Sequence, residues 1–386
     1  MKKKLFLFFI LFTNLFSFSQ TIYGLKKTIN GNLTIPFDVV SIDPNTASSN
    51  IEISTNSLVA VAAGASAYDQ QNNRFICWGY DFANVKKLYV MDIDDSISAN
   101  YPFTAIQPIE MEYDLQTQKL YGLWWDGFVE HFGEIDLQTG LASSISTLPS
   151  VNAVAIGNST FDSNTGTYIF IGISGNDTKL YRVSAIDGTV LSSPTIFDDD
   201  YPRYSALEFN VNNNTLYGLV QDIDSTDYSQ NFFSYFTNLR LAEIDVLTGF
   251  PTIVDTQLNV INGYLPGYSI GGLCFDQQSQ TYIINVQNEN NSYLKLIDIT
   301  SGNTIASTVL NSTDYFYELQ VNNYIFAQNF YSSTDFNEAN SLANNLIQRK
   351  EINKINLLGR SSKVIKNQPL FYIYDDGTVE KKLIVE

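Results

Sequence analysis

The chain has 386 residues, of which 44% are hydrophobic and 16% charged, a balance that supplies a core and excludes an intrinsically disordered protein. Its 24 tyrosines and 26 phenylalanines favour β-strands, because flat rings pack well on a pleated surface. The net charge of -18 repels phosphate backbones, so we expect no nucleic acid among the partners.

The N-terminus has the pattern of a secretory signal peptide over residues 1–19. Residues 2–4 are lysines, residues 5–18 are almost continuously apolar, and Ser17 and Ser19 are small residues of the kind a signal peptidase reads. We therefore predict cleavage after Ser19 and export. The apolar run is shorter than the ~20 residues that span a bilayer. No later segment is long and apolar enough, so we expect no transmembrane segment in the mature protein.

A repeat of about 45 to 50 residues occupies most of the chain. Its units share a segment that ends in Asp or Asn, a Leu-Tyr-Gly-Leu-like segment, and an Ile-Asp segment followed by a turn. The clearest copies span residues 112–140, 207–249 and 273–302. Each unit holds four short strands, which we call A to D from the axis outwards. This organisation is typical of a β-propeller.

We predict an all-β protein, a β-propeller of six blades with four antiparallel strands each, over residues 20–333. Counting the Ile-Asp-type marks gives six blades, whereas the Tyr-type marks give seven, which stays the alternative. Both ends of the array are partial units, so residues 22–43 and 315–326 should complete one blade and close the ring. A linker over residues 334–350 and a C-terminal tail over residues 351–386 follow.

The two cysteines, Cys77 and Cys274, fall in units that are not neighbours. Bridged cysteines need Cα atoms within ~7 Å, a distance that separated blades rarely offer. We therefore expect two buried free thiols.

The connections of such a propeller divide between two faces. The A–B and C–D turns are short and rich in Asn, Asp and Gly, which indicates scaffold. The B–C and D–A connections share the opposite face, carry the length variation and are aromatic, which favours binding of a sugar or peptide there. The candidate ligand-binding residues on this variable face are Trp78, Trp124, Trp125, Asp126, Tyr201, Tyr204, Tyr264 and Tyr268.

Catalytic chemistry is poorly represented in the sequence. His131 is the single histidine, which argues against a histidine-based triad or a multi-histidine metal site. Paired carboxylates could still hydrolyse glycosides. We expect no cofactor, with calcium as the exception that two acidic clusters could bind. These clusters are Asp92, Asp94 and Asp95, and Asp222, Asp224 and Asp227.

The C-terminal tail predicts a β-hairpin, with strands over residues 370–374 and 378–385 and a turn at residues 375–377. Its motifs are a Leu-Gly-Arg step, a Tyr-Ile-Tyr-Asp-Asp-Gly-Thr-Val-Glu run and a Lys-Lys-aliphatic end. The residues that carry them include Leu358, Gly359, Arg360, Tyr372, Tyr374, Asp376, Gly377, Lys381 and Lys382. This tail resembles the sorting signal of the type IX secretion system of Bacteroidota. The resemblance implies the type IX machinery as a partner and a destination at the outer cell surface or in the medium; an ordinary terminal hairpin is the alternative.

The function that the sequence favours is an exported, non-enzymatic binding propeller whose ligand is a glycan or a protein. The first alternative is a carbohydrate-active enzyme that uses paired carboxylates at the channel mouth. The second is a structural component of the cell envelope. Two carboxylates converging in a deep cleft would favour the enzyme, and a shallow aromatic surface would favour binding.

Overall fold

The computed structural model describes residues 21–28, 35–102, 107–196, 204–221, 239–254, 272–287, 291–310, 314–323, 351–355, 369–374 and 379–383. The chain divides into two compact units, residues 1–327 and residues 328–386. The described part of the first unit is a six-bladed β-propeller whose blades are antiparallel four-stranded sheets, as the repeat predicts. Within the described ranges, no helix combines the length and apolar character needed to cross a membrane.

The first three blades take strands from the N-terminal half, with one exception. Blade 1 contains β1 (Ile22–Thr28), β2 (Asp38–Ile42), β3 (Ser49–Ser54) and the C-terminal β24 (Asp314–Val321). Blade 2 contains β4 (Ala60–Asp69), β5 (Arg74–Tyr80), β6 (Lys86–Asp92) and β7 (Ile97–Pro102). Blade 3 contains β8 (Gln107–Asp114), β9 (Lys119–Trp125), β10 (Glu130–Ile135) and β11 (Ala142–Leu148).

The other three blades follow in chain order. Blade 4 contains β12 (Ala153–Asp162), β13 (Thr167–Ser174), β14 (Asp177–Ser184) and β15 (Val190–Ser192). Blade 5 contains β16 (Tyr204–Asn210), β17 (Thr215–Gln221), β18 (Leu239–Ile244) and β19 (Pro251–Ile253). Blade 6 contains β20 (Leu273–Asp276), β21 (Thr281–Gln287), β22 (Ser292–Asp298) and β23 (Thr304–Val309).

Blade 1 closes the ring with strands from both ends of the array. Its innermost strand is β24, which pairs antiparallel with β1 in a register that places Ile22 opposite Val321 and Lys26 opposite Phe316. The prediction that the two partial units form one blade is therefore confirmed over the described residues. Residues 324–326 of the predicted segment lie outside them.

The core lies between neighbouring blades, and this explains the Leu-Tyr-Gly-Leu motif. Leu120 belongs to the cluster between blades 2 and 3, whereas Tyr121 and Leu123 belong to the cluster between blades 3 and 4. Successive side chains of a strand point to opposite faces, so a B strand buried on both faces is apolar along its length. At Gly122 a Cβ would lie 2.8 Å from Cδ1 of Ile135 and 3.0 Å from the backbone oxygen of Glu110, so glycine allows the close packing there.

The periodic acidic residues at the ends of the A strands form turns. Asp114 accepts a hydrogen bond from the backbone N–H of Gln116 at 3.0 Å, and Asp276 accepts one from Gln278 at 2.9 Å. The equivalent buried residues are Asp69, Asp114, Asp162, Asn210 and Asp276. An Asx turn satisfies backbone groups where a strand reverses, so these repeat marks are structural.

Cys77 and Cys274 are both free and buried, as predicted from their separation. They lie on β5 of blade 2 and β20 of blade 6.

The second unit contains an antiparallel three-stranded sheet in the order β25 (Glu351–Ile355), β26 (Pro369–Tyr374) and β27 (Val379–Leu383). The predicted hairpin is present as β26 and β27, with Ile373 opposite Val379. The third strand, β25, pairs with β26 and is an addition to the prediction. Leu358, Gly359, Arg360, Asp376 and Gly377 lie outside the described residues.

Candidate functional site

Two B–C connections of the variable face expose large apolar side chains. We call them the aromatic turns: residues 81–85 of blade 2 and residues 125–129 of blade 3. Phe82 is 61% exposed and Phe128 is 94% exposed. Val85 and Trp125 are 47% and 44% exposed. Of the two adjacent tryptophan candidates, Trp125 is therefore the one at the surface.

The aromatic turns are shorter than the sequence indicates. The candidates Trp78 and Trp124 were expected in these connections, but β5 continues to Tyr80 and β9 continues to Trp125. Each connection closes tightly because an aspartate organises it. Asp81 accepts N–H groups of Ala83 and Val85, both at 2.9 Å. Asp126 accepts those of Phe128 at 2.8 Å and Val129 at 2.9 Å.

Trp124 is buried and stabilises the aromatic turn of blade 3 through His131. Its side chain is 6% exposed and its ring stacks on His131 with centroids 5.7 Å apart. His131 in turn contacts Asp126, with Nε2 and Oδ2 2.9 Å apart. This contact, followed by the N–H bonds of Val129 and Phe128, lowers the pKa of Asp126 to about 2. Trp124, His131 and Asp126 therefore hold the turn in place and leave Trp125 and Phe128 to face solvent.

The remaining candidates divide between the core and the undescribed part of the chain. Trp78 is 1% exposed and packs against Tyr80, so it offers no surface to a ligand. Tyr204 begins β16, but its side chain is not described. Tyr201, Tyr264 and Tyr268 lie outside the described residues.

The acidic cluster of Asp92, Asp94 and Asp95 is held by neighbouring groups of the protein. The backbone N–H of Asp95 bonds to Asp92 at 3.1 Å, and the side-chain amide of Asn73 bonds to Asp94 at 2.6 Å. Among the residues that the structure describes, no three His, Cys, Asp or Glu side chains converge as a metal site would require. The second cluster, Asp222, Asp224 and Asp227, lies outside them.

An axial channel lined by glutamates is the feature that the sequence did not predict. The A strands of all six blades enclose a cavity of about 110 Å³. Its ionisable lining includes Glu110, Glu112, Glu208 and Glu318. Glu110 and Glu112 are two residues apart on β8, and period-two alternation places both on the axial side of the strand. The only feature of the sequence that could have indicated the channel is this pair of alternating glutamates just before the terminal Asp of an A strand.

β-Bulges in the A strands set the positions of these glutamates. The pairing of A with B shifts register after Val61 in β4, after Pro108 in β8 and after Val154 in β12. Residues with left-handed backbone lie at or beside such bulges: Gly64, Gly157, Ala206 and Glu318. A bulge re-aims the following side chains and commonly adjoins a functional site.

Two glutamates and one asparagine tie bulges of the A strands to the neighbouring blade. Glu318 of blade 1 accepts the Gly64 N–H of blade 2 at 3.0 Å, and Glu110 of blade 3 accepts the Gly157 N–H of blade 4. Asn158 of blade 4 plays the same part, accepting the Ala206 N–H of blade 5 at 2.8 Å. One oxygen of Glu318 and one oxygen of Glu110 are therefore structural.

The channel carboxyls hold protons more tightly than ordinary glutamates. Burial, followed by the charge of Glu112, raises the pKa of Glu110 well above its usual range. Burial raises the pKa of Glu112 to about 8 and that of Glu318 to about 7. Ser159 Oγ lies 3.1 Å from Glu110 Oε2 and 2.6 Å from Glu112 Oε1. A hydroxyl has one proton to donate, so both bonds form together only when one carboxyl is protonated.

A ring of polar contacts joins all six blades at the A–B turns. Its members, in order around the axis, are Gln70 to Val321, Tyr113 to Asp69, Leu115 to Ser163, Asn164 to Val211, Val211 to Gln277, and Gln277 to Asn323. The distances range from 2.6 Å for Tyr113 to Asp69 to 3.2 Å for Gln70 to Val321. These bonds fix the end of the channel that lies away from the variable face.

Comparisons with known proteins identify the fold. No protein-family model matches this chain, and no curated protein matches it. Among solved structures it resembles TolB from Acinetobacter baumannii, with a TM-score of 0.55 and 11% identity over 79% of this chain and 67% of that chain. It also resembles a chain of the nidogen/laminin complex, with a TM-score of 0.50 and 8% identity over 79% of this chain and 99% of that chain. Hydrazine synthase of Kuenenia stuttgartiensis gives a TM-score of 0.52 at 9% identity, over 79% of this chain and 47% of that chain. Such low identities show a shared propeller fold alone.

Proposed function

We propose that this protein is an exported binding propeller that contacts a glycan or a protein ligand through its variable face. The observation that carries the proposal is the exposure of Phe82, Trp125 and Phe128 on two B–C turns of neighbouring blades. An exposed ring is unfavourable in water and supplies contact area at little entropic cost once a ligand covers it. The Asx turns below them keep these rings in place before binding.

Export supports the same proposal from the two ends of the chain. The signal-peptide pattern of residues 1–19 leads the protein out of the cytoplasm. The tail resembles a type IX sorting signal, which would deliver the propeller to the outer surface or the medium. A binding face with exposed aromatic side chains suits a protein that meets other molecules outside the cell.

The channel gives little support to the glycosidase alternative. Glu110 and Glu112 do converge, since both lie within hydrogen-bonding distance of one serine hydroxyl. The cavity there is about 110 Å³, whereas pockets for small-molecule ligands are on the order of 300 to 1,000 Å³. The cavity is well below that range, and Glu110 is 1% exposed and tied to Gly157.

The test pairs binding with stability for Phe128→Ala and Trp125→Ala. The purified protein is first screened against glycans and surface proteins, and the affinity of the variants for the best ligand is then measured. We expect a loss of about 2 kcal/mol or more for a central aromatic residue. The melting temperature should change little, because both rings face solvent.

Leu247→Ala is the matched control. Leu247 is 66% exposed on the C–D turn of blade 5, which belongs to the opposite face. Its removal should leave the affinity unchanged. Equal affinities for all three variants and the unmodified protein would refute the proposed binding face.

A further inference from the structure

The two aromatic turns are completed by different basic side chains. In blade 2 the second residue of β6, Lys87, pairs with Asp81, with Nζ and Oδ2 2.9 Å apart. In blade 3 the second residue of β10, His131, pairs with Asp126, with Nε2 and Oδ2 also 2.9 Å apart. Each aspartate uses its other oxygen, Oδ1, to accept two backbone N–H groups of its turn. The turns therefore share one hydrogen-bonding arrangement and differ in the group that completes it.

The hydrogen bonds of His131 define its protonation state. Its Nδ1 lies 2.9 Å from Ser144 Oγ, and Ser144 Oγ donates to the backbone oxygen of Ser146 at 3.1 Å. A hydroxyl has one proton to donate, so Nδ1 must supply the hydrogen of the first bond. Nε2 must donate to Asp126, because an ionised carboxylate only accepts. The complete network therefore requires a hydrogen on both ring nitrogens, which is the imidazolium cation.

Loss of one proton from His131 breaks part of this network. A neutral ring keeps Nε2–H on Asp126, but Nδ1 then accepts the hydroxyl hydrogen of Ser144, and the bond from Ser144 to Ser146 is lost. The remaining bond to Asp126 no longer joins two charges, and charge-assisted bonds are roughly twice as strong as neutral ones. On the acidic side the network persists until Asp126 is protonated, and the pKa of that carboxyl is lowered to about 2.

We propose that the aromatic turn of blade 3 is a proton-dependent binding element, closed while His131 carries two protons and loosened when it loses one. The turn of blade 2 stays closed, since the bond to Asp81 raises the pKa of Lys87 above its ordinary value of 10.5. Trp125 and Phe128 lie on the blade 3 turn, so the ligand should bind more tightly at acidic than at alkaline pH. This consequence rests on the proposed function, whereas the proton-dependent closure itself does not.

Glu130 is a second titratable group beside His131. Of the other described residues that contact the ring, Asp126 carries a charge, whereas Trp124 and Ser144 do not. Glu130 is 4% exposed, and burial raises its pKa to about 7. Its carboxylate forms as the pH rises and favours a positive charge on His131, which opposes loosening of the turn. Glu130→Gln removes this second titration, so a pH dependence that remains in the variant belongs to His131.

The first test is hydrogen exchange of the full-length protein without ligand from pH 5 to pH 9, expressed as protection factors. Protection of the Phe128 and Val129 N–H groups should fall about tenfold across this range, the scale of one lost hydrogen bond. The Ala83 and Val85 N–H groups of blade 2 are the internal control, because they share any change in global stability. Their protection should fall by less than that of the blade 3 pair.

The variants assign this fall in protection to a single ring. His131→Gln should abolish the difference between the two turns, because glutamine does not titrate, and Glu130→Gln should keep it. The chain has one histidine, so long-range ¹H–¹⁵N spectra of the unmodified protein report its two nitrogens directly and cover the case in which a variant folds poorly. Both should carry hydrogen at acidic pH and only Nε2 at alkaline pH. An equal fall in both turns, a difference that survives His131→Gln, or an Nδ1 that never carries hydrogen would overturn the proposal.

Binding at about pH 5.5 and pH 8.5 tests the consequence for the ligand. The best ligand of the screen should bind up to about tenfold more tightly at the lower pH, and His131→Gln should remove this difference. If no ligand is found but the exchange behaves as expected, the proposed function fails and the proton-dependent closure stands. If Phe128→Ala weakens binding but the two turns lose protection equally, the closure fails and the proposed function stands.

Discussion

Glu318 combines a structural bond with a buried charge. Its carboxyl accepts the Gly64 N–H at 3.0 Å and is buried. Burial raises the pKa of this carboxyl from 4.5 to about 7, while the N–H of Gly64 and the hydroxyl of Ser66 lower it by less. The folded protein therefore binds a proton that the unfolded chain releases across this pH range, and stability falls as the pH rises through it.

Replacing Glu318 by Gln should remove this loss. At pH 5 Glu318 is protonated in the folded state, so the variant and the unmodified protein should have similar free energies of unfolding. At pH 8 the ionised carboxyl destabilises the unmodified protein, and the variant should be more stable by on the order of 2 to 3 kcal/mol. Urea denaturation at both pH values measures the difference.

The other channel carboxyls also contribute to the pH dependence of the stability. Glu110 and Glu112 on β8 and Glu208 on β16 also have raised pKa values, so the variant keeps part of the pH dependence. Glu134→Gln should show no comparable gain, because the side chain of Glu134 is 40% exposed, pairs with Lys119 and lies outside the channel. A Glu318→Gln variant that is no more stable than the unmodified protein at pH 8 would contradict the buried-charge argument.

At the scale of elements, the strands were predictable and the bulges were not. The Leu-Tyr-Gly-Leu and Ile-Asp marks depend on burial of both faces and on local turns, which are properties of one short segment. A bulge depends on how an A strand pairs with its B strand, and one residue of shift re-aims the side chains that follow. The channel glutamates therefore could not be placed from the sequence.

The dependence on strand pairing also explains why two candidate binding residues lie in the core and not in the connections. Trp78 and Trp124 were expected in the aromatic B–C connections of the variable face. The ladder between β5 and β6 extends to Tyr80 opposite Lys86, so Trp78 lies within the sheet and packs in the core. Trp125 is the last residue of β9, opposite Glu130, and its side chain points outwards.

The bulge at Gly64 leaves no space for a side chain, and a substitution can test this. Gly64 has φ of 76°, and a Cβ there would lie 2.5 Å from the nitrogen and 2.7 Å from the Cα of Gly157. Both neighbours are backbone atoms of blade 4 and cannot rotate away. Gly64→Ala should therefore lower the free energy of unfolding by about 2 to 4 kcal/mol, from backbone strain and overpacking together. Urea denaturation measures the loss.

Gly166→Ala separates these two causes. Gly166 has φ of 62°, but a Cβ there would meet nothing within 4 Å. Its replacement should cost about 1 kcal/mol from the left-handed backbone alone. Equal losses for the two alanine variants would show that the approach of Gly64 to Gly157 adds nothing to the constraint.

At the scale of the whole molecule, the ring closes within the first unit. Blade 1 receives β24 from one end of the array and β1 to β3 from the other. Polar contacts on both sides seal this blade: Gln277 to Asn323 joins it to blade 6, and Gln70 to Val321 joins it to blade 2. The closure uses none of the strands of the C-terminal sheet, so the propeller should fold without residues 351–386.

Deleting residues 351–386 therefore tests the sorting role of the tail apart from folding. The truncated protein should keep the melting temperature of the propeller, because β1 to β24 and their inter-blade contacts are intact. It should accumulate in the periplasm, since the predicted signal peptide remains while the segment that resembles a type IX signal is gone. Cell fractionation of the producing bacterium, beside thermal melting of the purified protein, measures both outcomes. A folded, truncated propeller that still reaches the surface or the medium would assign the tail to ordinary structure, because export would then depend on the N-terminal segment alone.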